Sequence, residues 1–325
     1  MVVGDWALIL NLVSIGLLGL FILHALQSIF WLFISEKLAD FSPKSRKSLL
    51  LVWVACPYVL STVITLFFYL SITGPFELLD EVAHWHHAYV FHFDSWHGFL
   101  LLGFIAYIVW QLSKVIRRWV IHSSDIKSLN LLSRVISSTS NSNSSPEVSN
   151  YYLLDSAKPA AFVAGIIKPR CYLTNGLKRQ LTEEELNIVL QHEQAHLTSN
   201  DALSKCLFNL LCIFYPGFTK KPIKMSYALA LEQIADQKVL KSHTGFDVAA
   251  TLVKVAKLQN SYKTDFSYCY FGSEHIALRV NELITPGHKK SFPIIISLIS
   301  LALLLFSTLS VIDVSHHLIE SLFTH

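Results

Sequence analysis

The segment "QHEQAHLTSND", residues 191–201, sets two histidines four positions apart with a glutamate beside the first. Residues i and i+4 of an α-helix share one face, so His192 and His196 can both reach one zinc ion while Glu193 addresses a water bound to it. The competing reading is two histidines near a helix end, where imidazolium is favourable against the helix dipole. At this content of His and Glu, chance assembles the H-E-x-x-H pattern only roughly 0.03 times per chain, which decides for the metal site.

Zinc takes a third protein ligand and keeps a fourth position open for water. Glu232, in "LEQIAD", is the candidate, because Asp236 lies four residues on, shares its helical face, and can fix the tautomer of a ligand histidine by accepting from its far ring nitrogen. Without the upstream pair, a Glu and an Asp at this spacing would read as a solvated face. Asp201 is either the cap of the next helix or another partner of a ligand histidine. His275 and Arg279, in "SEHIALRVNEL", supply either a cation near the metal that stabilises the transition state, or a core-capping histidine and a salt-bridged arginine.

Several elements must position these groups. "AAFVAGI" and "RCYLTNGL" are strand-like runs, the second closed by the turn pair Asn175-Gly176. Thr182 and Glu185 form a capping box, so a helix begins there, with Leu186, Val189 and Leu190 as its buried stripe and both histidines in its last turns. A second helix, 202–215, is apolar nearly all round and stops at Pro216-Gly217; it is short for crossing a bilayer and fits a buried or membrane-grazing position. A third, about 226–242, carries Glu232 and Asp236.

Composition then places the whole. The chain has 325 residues, 52% hydrophobic and 15% charged, with its apolar residues in blocks. Four blocks, about 6–34, 49–73, 98–115 and 292–312, approach or exceed the roughly 20 residues a spanning helix needs. All 26 Lys and Arg fall within 37–47 and 114–290. By the positive-inside bias these are cytoplasmic ends, so both termini and the 75–97 loop face outside an inner-membrane protein. The first block lacks the basic flank and cleavage site of a signal peptide and reads as an anchor. The five cysteines, odd in count and scattered without C-x-x-C spacing, are expected to be free.

The expected architecture is therefore mainly α: a membrane domain over 1–122 with three spans, an amphipathic stretch and Ser/Asn-rich linker over 123–150, an α+β domain over 151–290 on the cytoplasmic side, and the fourth span with a short tail over 291–325. The outer loop carries His84, His86, His87, His92 and His97, which form either a metal- or proton-sensing surface or an interfacial segment with Trp85, Tyr89, Phe91 and Trp96 at headgroup level. His24, inside the first span, is expected to face other helices.

"AFVAGIIKPRCYLTNGLKRQLTEEELNIVLQHEQAHLTSND" resembles the protease core of the BlaR/MecR-type membrane metallopeptidases, in the order of small-residue strand, "P-R" turn, helix start and H-E-x-x-H-x-x-x-x-D. The resemblance, which extends to the four-span layout, implies a gluzincin-type zinc protease domain inserted between spans three and four. It implies His192, His196 and Glu232 as ligands of one zinc per chain, and Glu193 as general base. It further implies an endopeptidase in regulated proteolysis, with a protein or peptide substrate that extends to a cytoplasmic winged-helix repressor, and no direct nucleic-acid partner. Sensors of β-lactams in that family carry a penicillin-binding domain after the fourth span; here only "DVSHHLIESLFTH" follows, so that sensing does not transfer. The rival readings are a housekeeping membrane peptidase of the prenyl-protein or heat-shock type, and a non-proteolytic metal-binding receptor. Strand 171–178 is a candidate edge for substrate backbone.

Overall fold

The computed structural model describes residues 1–74, 89–136, 151–261 and 275–285 with a few isolated positions beyond, and from 121 to 136 the backbone alone. The protein is mainly helical with a small sheet. Strand β1 (Val2–Val3) leads into helix α1 (Asp5–Ile34), and helix α2 (Pro43–Thr73) follows. Strand β2 (Val90–Phe91) pairs antiparallel with β1 and precedes helix α3 (Trp96–Leu132). Three stretches, Asp5–Ile34, Pro43–Thr73 and Gly98–Arg117, are long and apolar enough to cross a membrane. They coincide with the first three apolar blocks; the fourth, 292–312, lies outside the described residues, as do His84, His86, His87 and Cys269.

Local sequence sets where these helices begin. Ser42 caps α2 by accepting from the Ser45 N–H at 3.2 Å, and Pro43 at the first helical position gives up a donor that would have no partner there. Leu8, Leu12, Ile15 and Leu23 of α1 pack on Cys56, Leu60, Ile64 and Phe68 of α2. His24 is buried within this bundle; its Nδ1 lies 2.8 Å from the Leu20 carbonyl, and its ring meets Tyr58 and Tyr215 edge-on.

Helix α3 runs past its apolar part to Leu132, since nothing between Phe104 and Leu132 is Gly or Pro. Strand β3 (Ser133–Ile136) comes directly after it, where the sequence suggests the end of an amphipathic stretch, and pairs antiparallel with β4 (Tyr151–Leu154). β4 runs parallel to β6 (Arg170–Thr174), and β5 (Ala161–Ala164) pairs antiparallel with β6, giving the order β3-β4-β6-β5. The sheet therefore begins before Tyr151. Asn175-Gly176 is not a turn but the start of a one-turn helix, α4 (Asn175–Lys178), capped by the Thr174 hydroxyl. Gly176 has to be glycine, because a Cβ there would sit 2.1 Å from the Ala157 carbonyl oxygen.

Helix α5 (Glu183–Thr198) opens with the expected capping box: the Thr182 Oγ1 accepts from the Glu185 N–H at 3.3 Å, and the Glu185 carboxylate accepts from the Thr182 N–H at 2.8 Å. Its Val189 and Leu190 pack against Tyr151, Leu173 and Leu177 from the sheet side, where each fully buried leucine contributes about 1.5–3 kcal/mol. Helices α6 (Asp201–Leu211), α7 (Gly217–Val239), α8 (Gly245–Ser261) and α9 (Ile276–Ile284) complete the fold. α6 ends at Leu211, four residues before the expected end at 215, and α7 starts nine residues before its expected position, with Pro216 just ahead of its first turn and Pro222 tolerated inside it.

The connection between α6 and α7 is driven in among the three apolar helices. The Tyr58 hydroxyl of α2 donates to the Leu211 carbonyl at 2.9 Å, and the Tyr107 hydroxyl of α3 donates to the Ile213 carbonyl at 3.0 Å. The Tyr215 hydroxyl bonds Gln27 of α1, and Phe214 stacks among Phe21, Phe104 and Tyr107. Trp31, Leu50 and Val54 share one core with Phe208, Tyr215, Ile223, Tyr227 and Leu231.

Candidate metal centre

α5 and α7 cross so that His192, His196 and Glu232 converge, each offering a donor atom within 4.8 Å of the others. The Nε2 atoms of His192 and His196 are 3.2 Å apart. The Glu232 Oε2 is 3.3 Å from the first and 3.6 Å from the second. Two ligands at about 2.0–2.1 Å from a tetrahedral zinc lie about 3.3–3.4 Å from each other, so the three separations fit the edges of a zinc tetrahedron. The residues present suit the ion in donor type as well, two imidazoles and a carboxylate.

The far side of each ring is held. His192 Nδ1 is 3.1 Å from Asp236 Oδ1, and His196 Nδ1 is 2.8 Å from Asp201 Oδ2. Both histidines thus present Nε2 to the centre. Of the two readings of Asp201, its carboxylate takes the one on His196; it is the first residue of α6, with Asn200 before it in the left-handed region at φ 50°.

Arg279, from α9, is buried 43 positions from its partner and forks onto Asp236, Nε to Oδ2 at 2.8 Å and Nη2 to Oδ1 at 2.7 Å; its Nη1 is 3.3 Å from Glu232 Oε2. The guanidinium is thus salt-bridged to both carboxylates, the second of the two readings of this residue. His275 precedes α9, and its buried Nε2 has no hydrogen-bond partner in the structure. Lys205 of α6 approaches Glu232 Oε1 at 3.5 Å. Glu193 stands beside His192 on α5, half-buried, and its charge reaches both His196 and Arg279. Burial pushes the Cys171 thiol up, so this neighbour of Glu193 stays a thiol.

The electrostatics follow from this packing. Burial alone would lower the His196 imidazolium, but the carboxylates of Glu232, Asp201 and Glu193 outweigh it and push its pKa up to about 10. For His192, burial is likewise outweighed, by Asp236 and Glu232, and the shift is upward. Burial would raise Glu232, yet His196, His192 and Arg279 hold it well below the usual carboxylate range. Without metal the His196 ring thus holds a proton at neutral pH, and a metal must displace it. The raised His196 pKa stabilises the metal-free fold below about pH 6.5, and that contribution is lost as pH rises through about 10. Zinc affinity is therefore expected to rise with pH between 7 and 9, with proton release measured calorimetrically in buffers of different ionisation enthalpy; a pH-independent affinity without proton release would contradict this electrostatic account.

Strand 171–178 is not an edge. β6 lies between β4 and β5, so its backbone groups are taken; the edge strand beside α5 is β5. The sequence reading missed this because pairing order is not written in the pattern of either strand.

Residues 96–283, more than half of the chain, match the family model described as BlaR1 peptidase M56. Comparison with curated proteins and with solved structures gave no match.

Proposed function

The chain belongs to the BlaR1 peptidase M56 family, which makes it a membrane-associated metallopeptidase, and from that premise we propose a zinc endopeptidase working at the cytoplasmic face of the inner membrane. The observation that carries this reading is the convergence of His192, His196 and Glu232 at tetrahedral spacing, with Asp236 and Asp201 behind the two rings.

His192, His196 and Glu232 would hold the zinc, which would supply a Lewis acid for a carbonyl and a water. The chain's own residues do the rest. Glu193 takes the proton from that water and passes it to the leaving amide nitrogen. Asp236 and Asp201 keep both rings in the tautomer that offers Nε2, and Arg279 balances the carboxylates of Glu232 and Asp236. The side of β5 that has no strand partner among the described residues takes an extended substrate by backbone pairing, which selects for an unfolded or loop segment.

The distribution of Lys and Arg supports a fourth span over 292–312, with the protease domain between spans three and four and the termini outside. A regulatory role, with a cytoplasmic repressor as substrate, rests on the family resemblance. One experiment tests metal, reaction and side together. In sealed membrane vesicles of either orientation, a membrane-impermeant quenched peptide should be cut only when the cytoplasmic face is outward, should be spared after chelation, and should be cut again when zinc is restored. Cleavage confined to the opposite orientation, or undiminished by chelation, would overturn the proposal.

A further inference from the structure

We propose that Lys47, in the apolar helix α2, is a positioning residue of the metal centre: its ammonium holds the Asp201 carboxylate that orients His196. Lys47 Nζ lies 3.5 Å from Asp201 Oδ1, and the other oxygen of the same carboxylate is 2.8 Å from His196 Nδ1. The inference rests on the metal-centre reading and goes beyond it, because it makes a residue of an apolar helix support, through Asp201, the orientation of a ligand histidine.

Three observations carry it. Asp201 is buried, and its Oδ1 has no hydrogen-bond partner, so Lys47 is what that oxygen faces among the described cations at ion-pair distance. Lys238 is also near, but its ammonium is committed to the end of α5, donating to the Ala195 carbonyl at 3.2 Å, Thr198 Oγ1 at 3.1 Å and Ser199 Oγ at 2.7 Å. Finally, the residue before Lys47 reaches the other ligand-bearing helix, since Arg46 donates to Gln233, the neighbour of Glu232. One turn at the basic end of α2 thus addresses both α5, through Asp201, and α7.

The physical argument is about direction rather than strength. A metal-bound histidine donates Nδ1–H to one oxygen of Asp201, and a cation on the other oxygen fixes the plane of that buried carboxylate. Removing that cation leaves the carboxylate free to turn, and the imidazole turns with it.

The test compares full-length parent protein with Lys47→Ala, Lys47→Gln and Lys47→Arg in detergent, by competition for zinc with a chromophoric chelator and by the visible spectrum of the cobalt-loaded protein. Lys47→Gln keeps the stem and a polar head without the charge, so the result does not hang on the alanine variant folding. Loss of the charge should weaken zinc about 10-fold or more, in the range for partners behind a ligand, and shift the cobalt bands. Lys47→Arg should restore both, and Lys44→Ala, one turn away without a role in the centre, should match the parent. In an Asp201→Asn background the Lys47 substitutions should add less than about twofold, because their route is already cut. Parent-like zinc affinity and cobalt spectrum in Lys47→Ala and Lys47→Gln would overturn the inference alone, as would an undiminished effect in the Asp201→Asn background. A parent that takes up no metal would overturn the metal-centre reading as well.

Discussion

Glu193→Gln is expected to lower kcat/KM for peptide cleavage by about 10²–10⁴-fold while leaving zinc affinity close to that of the parent. The two effects separate because Glu193 lies outside the donor set of His192, His196 and Glu232, although it is next to His192 on the same helix. Glutamine keeps the size and hydrogen-bonding reach of the side chain but cannot accept and return a proton. The rings behind the metal keep their partners Asp236 and Asp201, so the ligand geometry has no reason to change. Steady-state kinetics on a quenched peptide, run beside chelator competition on the same preparation, gives both numbers. Activity within about threefold of the parent at equal zinc loading would remove Glu193 from the proton path.

Arg279→Met should be the most damaging single change to the fold. It leaves Asp236 buried and Glu232 nearly so, with the imidazoles and, for Glu232, the more distant Lys205 ammonium to offset their charge. Breaking a buried ion pair by deleting one partner typically costs about 3–5 kcal/mol, since the remaining charge stays out of water. Here the loss falls on two carboxylates at once, both held below their ordinary range in the parent by Arg279 and the histidines. Zinc recovers part of it through Glu232 but does nothing for Asp236. Unfolding of the metal-free variant in denaturant should therefore show a large loss, and the metal-loaded variant a smaller one. A metal-free Arg279→Met protein within about 1 kcal/mol of the parent would mean that the carboxylates are hydrated and the pair is a surface contact.

What the sequence displayed was mostly what lies close together along it. The H-E-x-x-H spacing, the Thr182–Glu185 box and the Glu232–Asp236 spacing are all decided within one or two helical turns, and the three long apolar stretches announce themselves by length. Helical periodicity tells which face of α9 is buried but not that Arg279 on that face meets Asp236. Lys47 looks like one more positive-inside lysine, since its partner lies across the chain on α6. β3 and β4 were illegible for a related reason: four-residue strands earn their place by pairing, and each pairs with a segment beyond a long connection. The edge position of β5 is a property of the assembled sheet and of no strand alone.

The seat of the α6–α7 connection erases the usual line between an anchor and the enzyme it carries. Phe208, Tyr215, Ile223, Tyr227 and Leu231 belong to the arm that presents Glu232, and their cover is Trp31, Leu50 and Val54 of the membrane helices. Severing the chain at the membrane surface would not liberate a soluble protease; it would strip the arm of its inner wall and leave the Tyr58 and Tyr107 hydroxyls without their carbonyls. Whatever spreads or squeezes α1, α2 and α3 thus works directly on the arm that carries Glu232, the third ligand proposed for the metal.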